Sequence, residues 1–368
     1  MLKTLPTFYL AALVCAPLVA HAQSPAAAYP PPAEVRQAFL ALLDRPRVPA
    51  DPQSAAAKDS DNGVSDAIVE RFTIATEKKA DGKVERMPAL LLKPKGAEGS
   101  RLPVVIVLHG TGGNKDAQMP WLERVVGKGM MGVAIDARYH GDRSGGAKRS
   151  EAYVAAITRA WETPSGQPQE HPFFYDTVWD LWRLLDYLEQ RPDVDAKRIG
   201  MIGFSMGGIE TWLAGAVDER VAVAVPCISV QCLRWGLEHD HWQGRARTIA
   251  GAHEAAARDL GEPEVNARVC RALWNKIIPG MVDEFDGPSM IRLFAPRPLL
   301  ILNGELDPNC PLEGAELAFA AARRAYARDG AEDRLKIDVA KGVAHKVTDE
   351  QQQMAVDWLV RWLHVEKR

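Results

Sequence analysis

The chain has no block of like charge, no internal repeat, and no apolar run long enough to cross a bilayer as a permanent helix. Its 45 basic and 48 acidic residues leave a net charge of −3 and are dispersed along the sequence. Neither nucleic acid nor an anionic membrane surface is therefore an expected partner. Cysteine is scarce, at 5 in 368 residues, and no second close Cys/His pair has zinc-binding spacing, so no metal site is expected. What remains is ordinary globular material, 47% hydrophobic and 25% charged. Such a chain can bury a sizeable core, as two average domains or as one large α/β domain with an insertion.

The N-terminus departs from that composition. Lys3 precedes an apolar run from Phe8 to Ala20, and Ala20-His21-Ala22 forms a small-residue cleavage pattern. Residues 1–22 are read as a signal peptide cut after Ala22, which predicts a secreted or periplasmic protein with no membrane attachment after cleavage. Pro6 and Pro17 argue against a core helix, and Val14 before Cys15 disfavours lipidation. Four cysteines then remain, Cys227, Cys232, Cys270 and Cys310. An oxidising compartment permits pairing, most simply of Cys227 with Cys232. Buried free thiols are equally compatible with the sequence.

Residues 23–66 read as a linker and extension, with a loose segment over 23–33, a helix over 34–44 and a surface-wrapping stretch over 46–66. Residues 68–76 and 86–94 are strand-like across "ADGK", a hairpin signal. From there to residue 368 one domain is predicted. Continuous Val/Ile/Leu runs at 102–110, 131–136, 198–204, 220–226 and 297–304 have the character of strands buried on both faces. Amphipathic stretches alternate with them; in 174–190, Val178, Leu181, Trp182, Leu185 and Leu188 share one helical face. Helices are also predicted at 206–217, 313–328 and 350–364, with a last strand at 334–340. This alternation predicts a mainly parallel sheet covered on both faces. The interval 227–296 is too long for a simple crossover and is read as a lid or cap, with structural elaboration as the other reading. Its Trp235, Trp242 and Trp274 could stack on sugar rings or serve plain packing. His239 and His241 look more like a polar loop than a metal pair.

Gly203-Phe204-Ser205-Met206-Gly207 sits where a strand turns into a helix. In that context G-x-S-x-G lifts a serine hydroxyl to a helix N-terminus, where unpaired N–H groups favour developing negative charge. A serine needs a base, and His345 follows the last strand; the base needs a carboxylate, and Asp307 follows the strand at 297–304. Glu305, two residues away, is the alternative acid. An oxyanion hole is expected from the N–H groups of Met206 and of Thr111 in "HGTGG", with Gly112 as the neighbouring choice for the second. His109 is read as a residue bracing that loop, and His140, beside Asp142, as a packing or hydrogen-bonding residue near the site.

With "HGTGG", "DARYHGDRS", "GFSMGG", "NGELDPNCP" and "GVAH" in place, the chain from about residue 68 resembles the α/β-hydrolase superfamily. Within it the chain looks like the dienelactone-hydrolase, acetyl-xylan-esterase and prolyl-oligopeptidase-like branches. The resemblance implies an eight-stranded sheet, a Ser-Asp-His triad and hydrolysis of esters or related acyl bonds without a cofactor. Serine replaces the cysteine nucleophile of the dienelactone hydrolases, and Tyr139 stands where the superfamily's D-x-R-G-x-G-x-S loop has glycine. Arg138 in that loop is expected to be a structural anchor. Three functions follow as alternatives: a short-chain esterase acting on small-molecule or carbohydrate esters, a serine peptidase of prolyl-oligopeptidase type, and a non-catalytic binding module. Only about a hundred residues precede "HGTGG", so a propeller of forty-residue blades is not expected there.

Overall fold

The computed structural model describes residues 29–364. The signal-peptide reading of residues 1–22 lies outside them. Nine strands form one sheet: β1 (Gln53–Ser54), β2 (Ala67–Lys78), β3 (Val84–Pro94), β4 (Leu102–Leu108), β5 (Met131–Ile135), β6 (Val194–Phe204), β7 (Val221–Cys227), β8 (Leu299–Gly304) and β9 (Leu335–Ala340). Their order is β1-β2-β3-β5-β4-β6-β7-β8-β9. The six from β4 to β9 run parallel, and β1, β2 and β3 join antiparallel. The eight expected strands are present; the ninth, β1, is a two-residue edge segment within the stretch read as surface wrapping.

Strand β4 shows why the apolar runs are continuous. Val104, Ile106 and Leu108 enter one core while Val105 and Val107 enter the other. Alternate side chains point to opposite faces, so both sets must be apolar when helices cover both sides. Helices Tyr175–Gln190, Met206–Val217 and Leu312–Arg328 supply the first core, and Met119–Val126 and Asp349–Trp362 the second. The helix after β6 packs closely on the sheet, which keeps the turn between them short and fixed in direction.

The N-terminal helix, Pro32–Leu43, begins two residues earlier than expected and buries Val35, Phe39 and Leu43. Phe39 meets Tyr175, Trp182 and Phe285 edge-on at 5.3, 6.2 and 5.0 Å, so the extension belongs to the main core. The stretch between β7 and β8 is an insertion of five short helices, Leu233–Glu238, Gln243–Arg247, Ala250–Asp259, Ala267–Ile277 and Gly287–Ile291. It is pinned to the body at several points. Tyr175 donates its hydroxyl to the Pro279 carbonyl at 2.9 Å, Lys276 reaches the Thr163 carbonyl at 2.8 Å, and Trp161 Nε1 donates to Asp259 at 2.8 Å. Among the described residues no helix is long and apolar enough to cross a membrane. The four cysteines are all buried free thiols, which settles the pairing alternatives.

Candidate active site

Ser205 lies between the end of β6 and the helix Met206–Val217, with φ 53° and ψ −110°. A left-handed φ is costly for a residue with a side chain and is held here by its surroundings. Its N–H donates to the Cys227 carbonyl at 3.0 Å, and Gly207 N–H donates to the His109 carbonyl at 3.1 Å. The flanking glycines have no room for a side chain. A Cβ on Gly203 would run into the Gly207 carbonyl, and one on Gly207 would lie 2.6 Å from the Leu108 and His109 oxygens. The motif is thus a steric solution to packing β6, the helix and the end of β4 against one another.

His345 Nε2 lies 2.8 Å from Ser205 Oγ, and its Nδ1 lies 2.7 Å from Asp307 Oδ2. The Asp307 carboxylate accepts from Nδ1–H, which leaves Nε2 with a lone pair facing the serine hydroxyl. Asp307 Oδ1 also accepts from the Asn309 N–H at 2.8 Å, and its side chain is fully buried. Glu305 is engaged elsewhere: its Oε2 accepts from the Gly342 N–H at 2.6 Å. The acid facing the histidine is therefore Asp307, and Glu305 ties the β8 loop to the turn after β9.

The oxyanion candidates lie beside this line. A Cβ built on Gly110 would sit 3.5 Å from Ser205 Cβ, so the "HGTGG" loop abuts the serine. Neither Thr111 N–H nor Met206 N–H has a backbone acceptor among the described residues. His109 does more than brace the loop. Ala137 N–H donates to its Nε2 at 3.2 Å, so Nδ1 carries the proton and donates to the Gly110 carbonyl at 2.8 Å. That carbonyl and the Thr111 N–H are opposite ends of one planar peptide. Holding one end aims the other. Asp136 anchors the far end of the loop, accepting from Lys115 N–H at 2.8 Å and Lys115 Nζ at 2.6 Å.

Arg138 forms a forked pair with Asp180, Nε to Oδ2 at 2.7 Å and Nη2 to Oδ1 at 2.8 Å, and Nη1 reaches Glu77 at 3.0 Å. This is the structural anchor expected from "DARYHGDRS". Trp274 is buried in the core, and the Trp235 ring stacks with His239 at 4.6 Å and His241 at 5.1 Å. Packing, rather than an open sugar platform, accounts for both tryptophans, and the two histidines pack on Trp235.

His140 and His253 are buried neutral histidines. Burial pushes His140 down to about 3, with His109 nearby adding to the effect, and burial pushes His253 down to about 4. Because both folded values lie below the unfolded value of about 6.5, protonation favours the unfolded chain. Their stabilising contribution is complete above that value and is lost as pH falls towards 4 and 3. Each should cost about 2 kcal/mol of stability at pH 5. Denaturant midpoints followed from pH 7 to pH 5 should fall more steeply for the wild type than for His140→Asn; equal slopes would contradict this assignment.

Residues 87–232 match the dienelactone hydrolase family model, and residues 169–330 match the model for fungal glucuronyl esterase. A Bacillus subtilis (strain 168) protein named as a hydrolase, YtaP, is 28% identical over 292 residues, covering 76% of this chain and 84% of the relative. An acetyl xylan esterase from Paenibacillus sp. R4 superposes with a TM-score of 0.59 at 20% identity, covering 89% of this chain and 92% of that one. A glucuronoyl esterase from Solibacter usitatus gives 0.59 at 18%, covering 88% and 91%. These matches support a general serine-hydrolase activity. The chain has an α/β-hydrolase superfamily fold, related to the dienelactone-hydrolase, acetyl-xylan-esterase and glucuronoyl-esterase enzymes.

Proposed function

We propose that this protein is an exported serine esterase that cleaves short-chain carboxylic esters, with carbohydrate esters such as acetylated polysaccharide as its substrate class. The observation that carries the reading is the single imidazole, His345, poised between Ser205 Oγ at 2.8 Å and Asp307 Oδ2 at 2.7 Å. In the first half-reaction Ser205 Oγ attacks the ester carbonyl and His345 Nε2 takes its proton. The carbonyl oxygen becomes an oxyanion facing the N–H groups of Met206 and Thr111. Asp307 stabilises the imidazolium, which then protonates the departing alcohol as the acyl-enzyme forms. In the second half a water gives its proton to Nε2 and attacks the acyl carbon, and Ser205 Oγ leaves with the proton returned. The names of the similar esterases support an ester substrate, and the sequence pattern of residues 1–22 supports export.

The test is direct. The purified mature protein should be labelled by a fluorophosphonate probe and should hydrolyse p-nitrophenyl acetate far faster than the matched p-nitroanilide. Preference for the anilide would favour the peptidase reading. A folded protein that neither labels nor turns over either substrate would favour a binding module.

A further inference from the structure

The loop that offers the Thr111 N–H runs from His109 to Lys115, and three of its seven residues are glycine, Gly110, Gly112 and Gly113. Small residues are needed there. A Cβ on Gly110 would lie 3.3 Å from the Phe204 carbonyl oxygen, and one on Gly113 would lie 3.0 Å from the Gly110 carbonyl oxygen. Gly112 also takes φ 78°, a left-handed value that suits glycine. An oxyanion donor, however, is effective only if its direction is fixed before charge develops. A glycine-rich segment is poor at fixing itself, because each glycine has more backbone states to lose. The rigidity must come from outside the loop.

Two consecutive residues just past β5 supply it. Ala137 N–H grips the first residue of the loop, through His109 Nε2 at 3.2 Å. The Asp136 carboxylate grips the last, with Oδ1 accepting from Lys115 N–H at 2.8 Å and Oδ2 from Lys115 Nζ at 2.6 Å. Asp136 is itself fixed on every side. Its Oδ2 also accepts from Asp142 N–H at 2.9 Å, and a Cβ on Gly141 would overlap the carboxylate. Its N–H donates to the Pro88 carbonyl of β3 at 3.1 Å, and its carbonyl accepts from Arg143 Nη1 at 3.1 Å. Asp136 and Lys115 are 0% and 2% exposed, so water cannot take over either half of the clasp. Between the two grips Gly113 N–H closes on the Gly110 carbonyl at 3.0 Å, the same carbonyl that His109 Nδ1 holds at 2.8 Å. The Thr111 N–H lies in this braced segment, which abuts Ser205.

We propose that Asp136 is a positioning residue for the reaction: it touches no reacting atom, and by clasping Lys115 it sets the aim of the Thr111 N–H at the developing oxyanion. This deepens the esterase reading and rests on it. A carboxylate suits the task because one rigid group can accept from a backbone N–H and an ammonium at once, and charge-assisted bonds are the stronger kind.

Two substrates that differ in one atom test it: p-nitrophenyl acetate and its thiono analogue, with sulfur in place of the carbonyl oxygen. Donors aimed at an oxygen anion favour the first, so the ratio of the two kcat/KM values reports how well they are aimed. Asp136→Asn keeps an oxygen for the Lys115 N–H but removes the charge that holds Nζ. It should lower kcat/KM for the oxygen ester by about 10- to 100-fold. The thiono ester should lose less, so the oxygen-to-sulfur ratio should shrink by about fivefold or more. Lys115→Met removes Nζ, leaves the backbone bond in place, and should shift the ratio in the same direction by a smaller factor. It carries the test alone if Asp136→Asn does not fold. Equal losses on both substrates overturn the proposal, since fewer folded molecules or a general loosening would lower both rates alike. So does a folded variant with the wild-type ratio. Wild-type turnover tests the esterase reading separately: an active wild type with an unmoved ratio in the variants sinks this inference alone, whereas no turnover of either ester and no fluorophosphonate labelling sinks both.

Discussion

Replacing Ser205 with alanine should lower kcat/KM for p-nitrophenyl acetate by roughly 10⁴- to 10⁶-fold and abolish fluorophosphonate labelling. The residue is held at a left-handed φ by contacts its backbone makes, and alanine preserves that backbone, so the fold should survive. The acid can be tested in the same series. Asp307→Asn should cost about 10⁴-fold in kcat, because an amide no longer fixes the imidazole tautomer or balances the imidazolium. Glu305→Gln should cost far less, since Glu305 faces the Gly342 N–H and not the imidazole. Comparable losses for the two would mean that the β8 loop, rather than one carboxylate, is what matters. A Ser205→Ala protein with wild-type ester turnover would end the serine-esterase reading.

The second large effect concerns stability. Arg138 and Asp180 are 2% and 0% exposed. Burial alone would raise the Asp180 carboxyl, but the Arg138 and Arg143 guanidiniums more than reverse that and hold it well below the usual carboxylate range. Removing one member of such a pair leaves a buried charge with diminished compensation. Arg138→Met should therefore cost about 3–5 kcal/mol in equilibrium denaturation. Arg143 still reaches Asp180 Oδ2 at 2.8 Å, which favours the lower half of that range. The double variant Arg138→Met/Asp180→Leu should recover part of the loss, because it removes the stranded charge as well. A single-variant cost below about 1 kcal/mol would place the anchor elsewhere.

Several of these features are legible in the sequence because their signals are local. The apolar runs of β4 to β8 report burial on two faces, and the glycines around Ser205 report crowding that the structure shows atom by atom. The helix Glu151–Glu162 carries Tyr153, Ala156, Ile157 and Ala160 on one face, a stripe half made of alanine and therefore a weak apolar signal. Other features have no local signal. Two residues make β1, and only the Phe72–Thr73 segment of β2 that they pair with defines them. The choice between Glu305 and Asp307 depends on where the turn after β9 arrives.

The chemistry of the site is split along the chain, and that has a consequence for timing. Ser205 and His345 are 140 positions apart, and Asp307 and His345 are 38 apart. His345 follows β9, the edge strand that pairs only with β8. A chain emerging from the ribosome can build most of the sheet, the serine turn and the oxyanion loop while its base is still unmade. With His345 as the base, as proposed above, hydrolytic competence would be among the last properties acquired during biosynthesis.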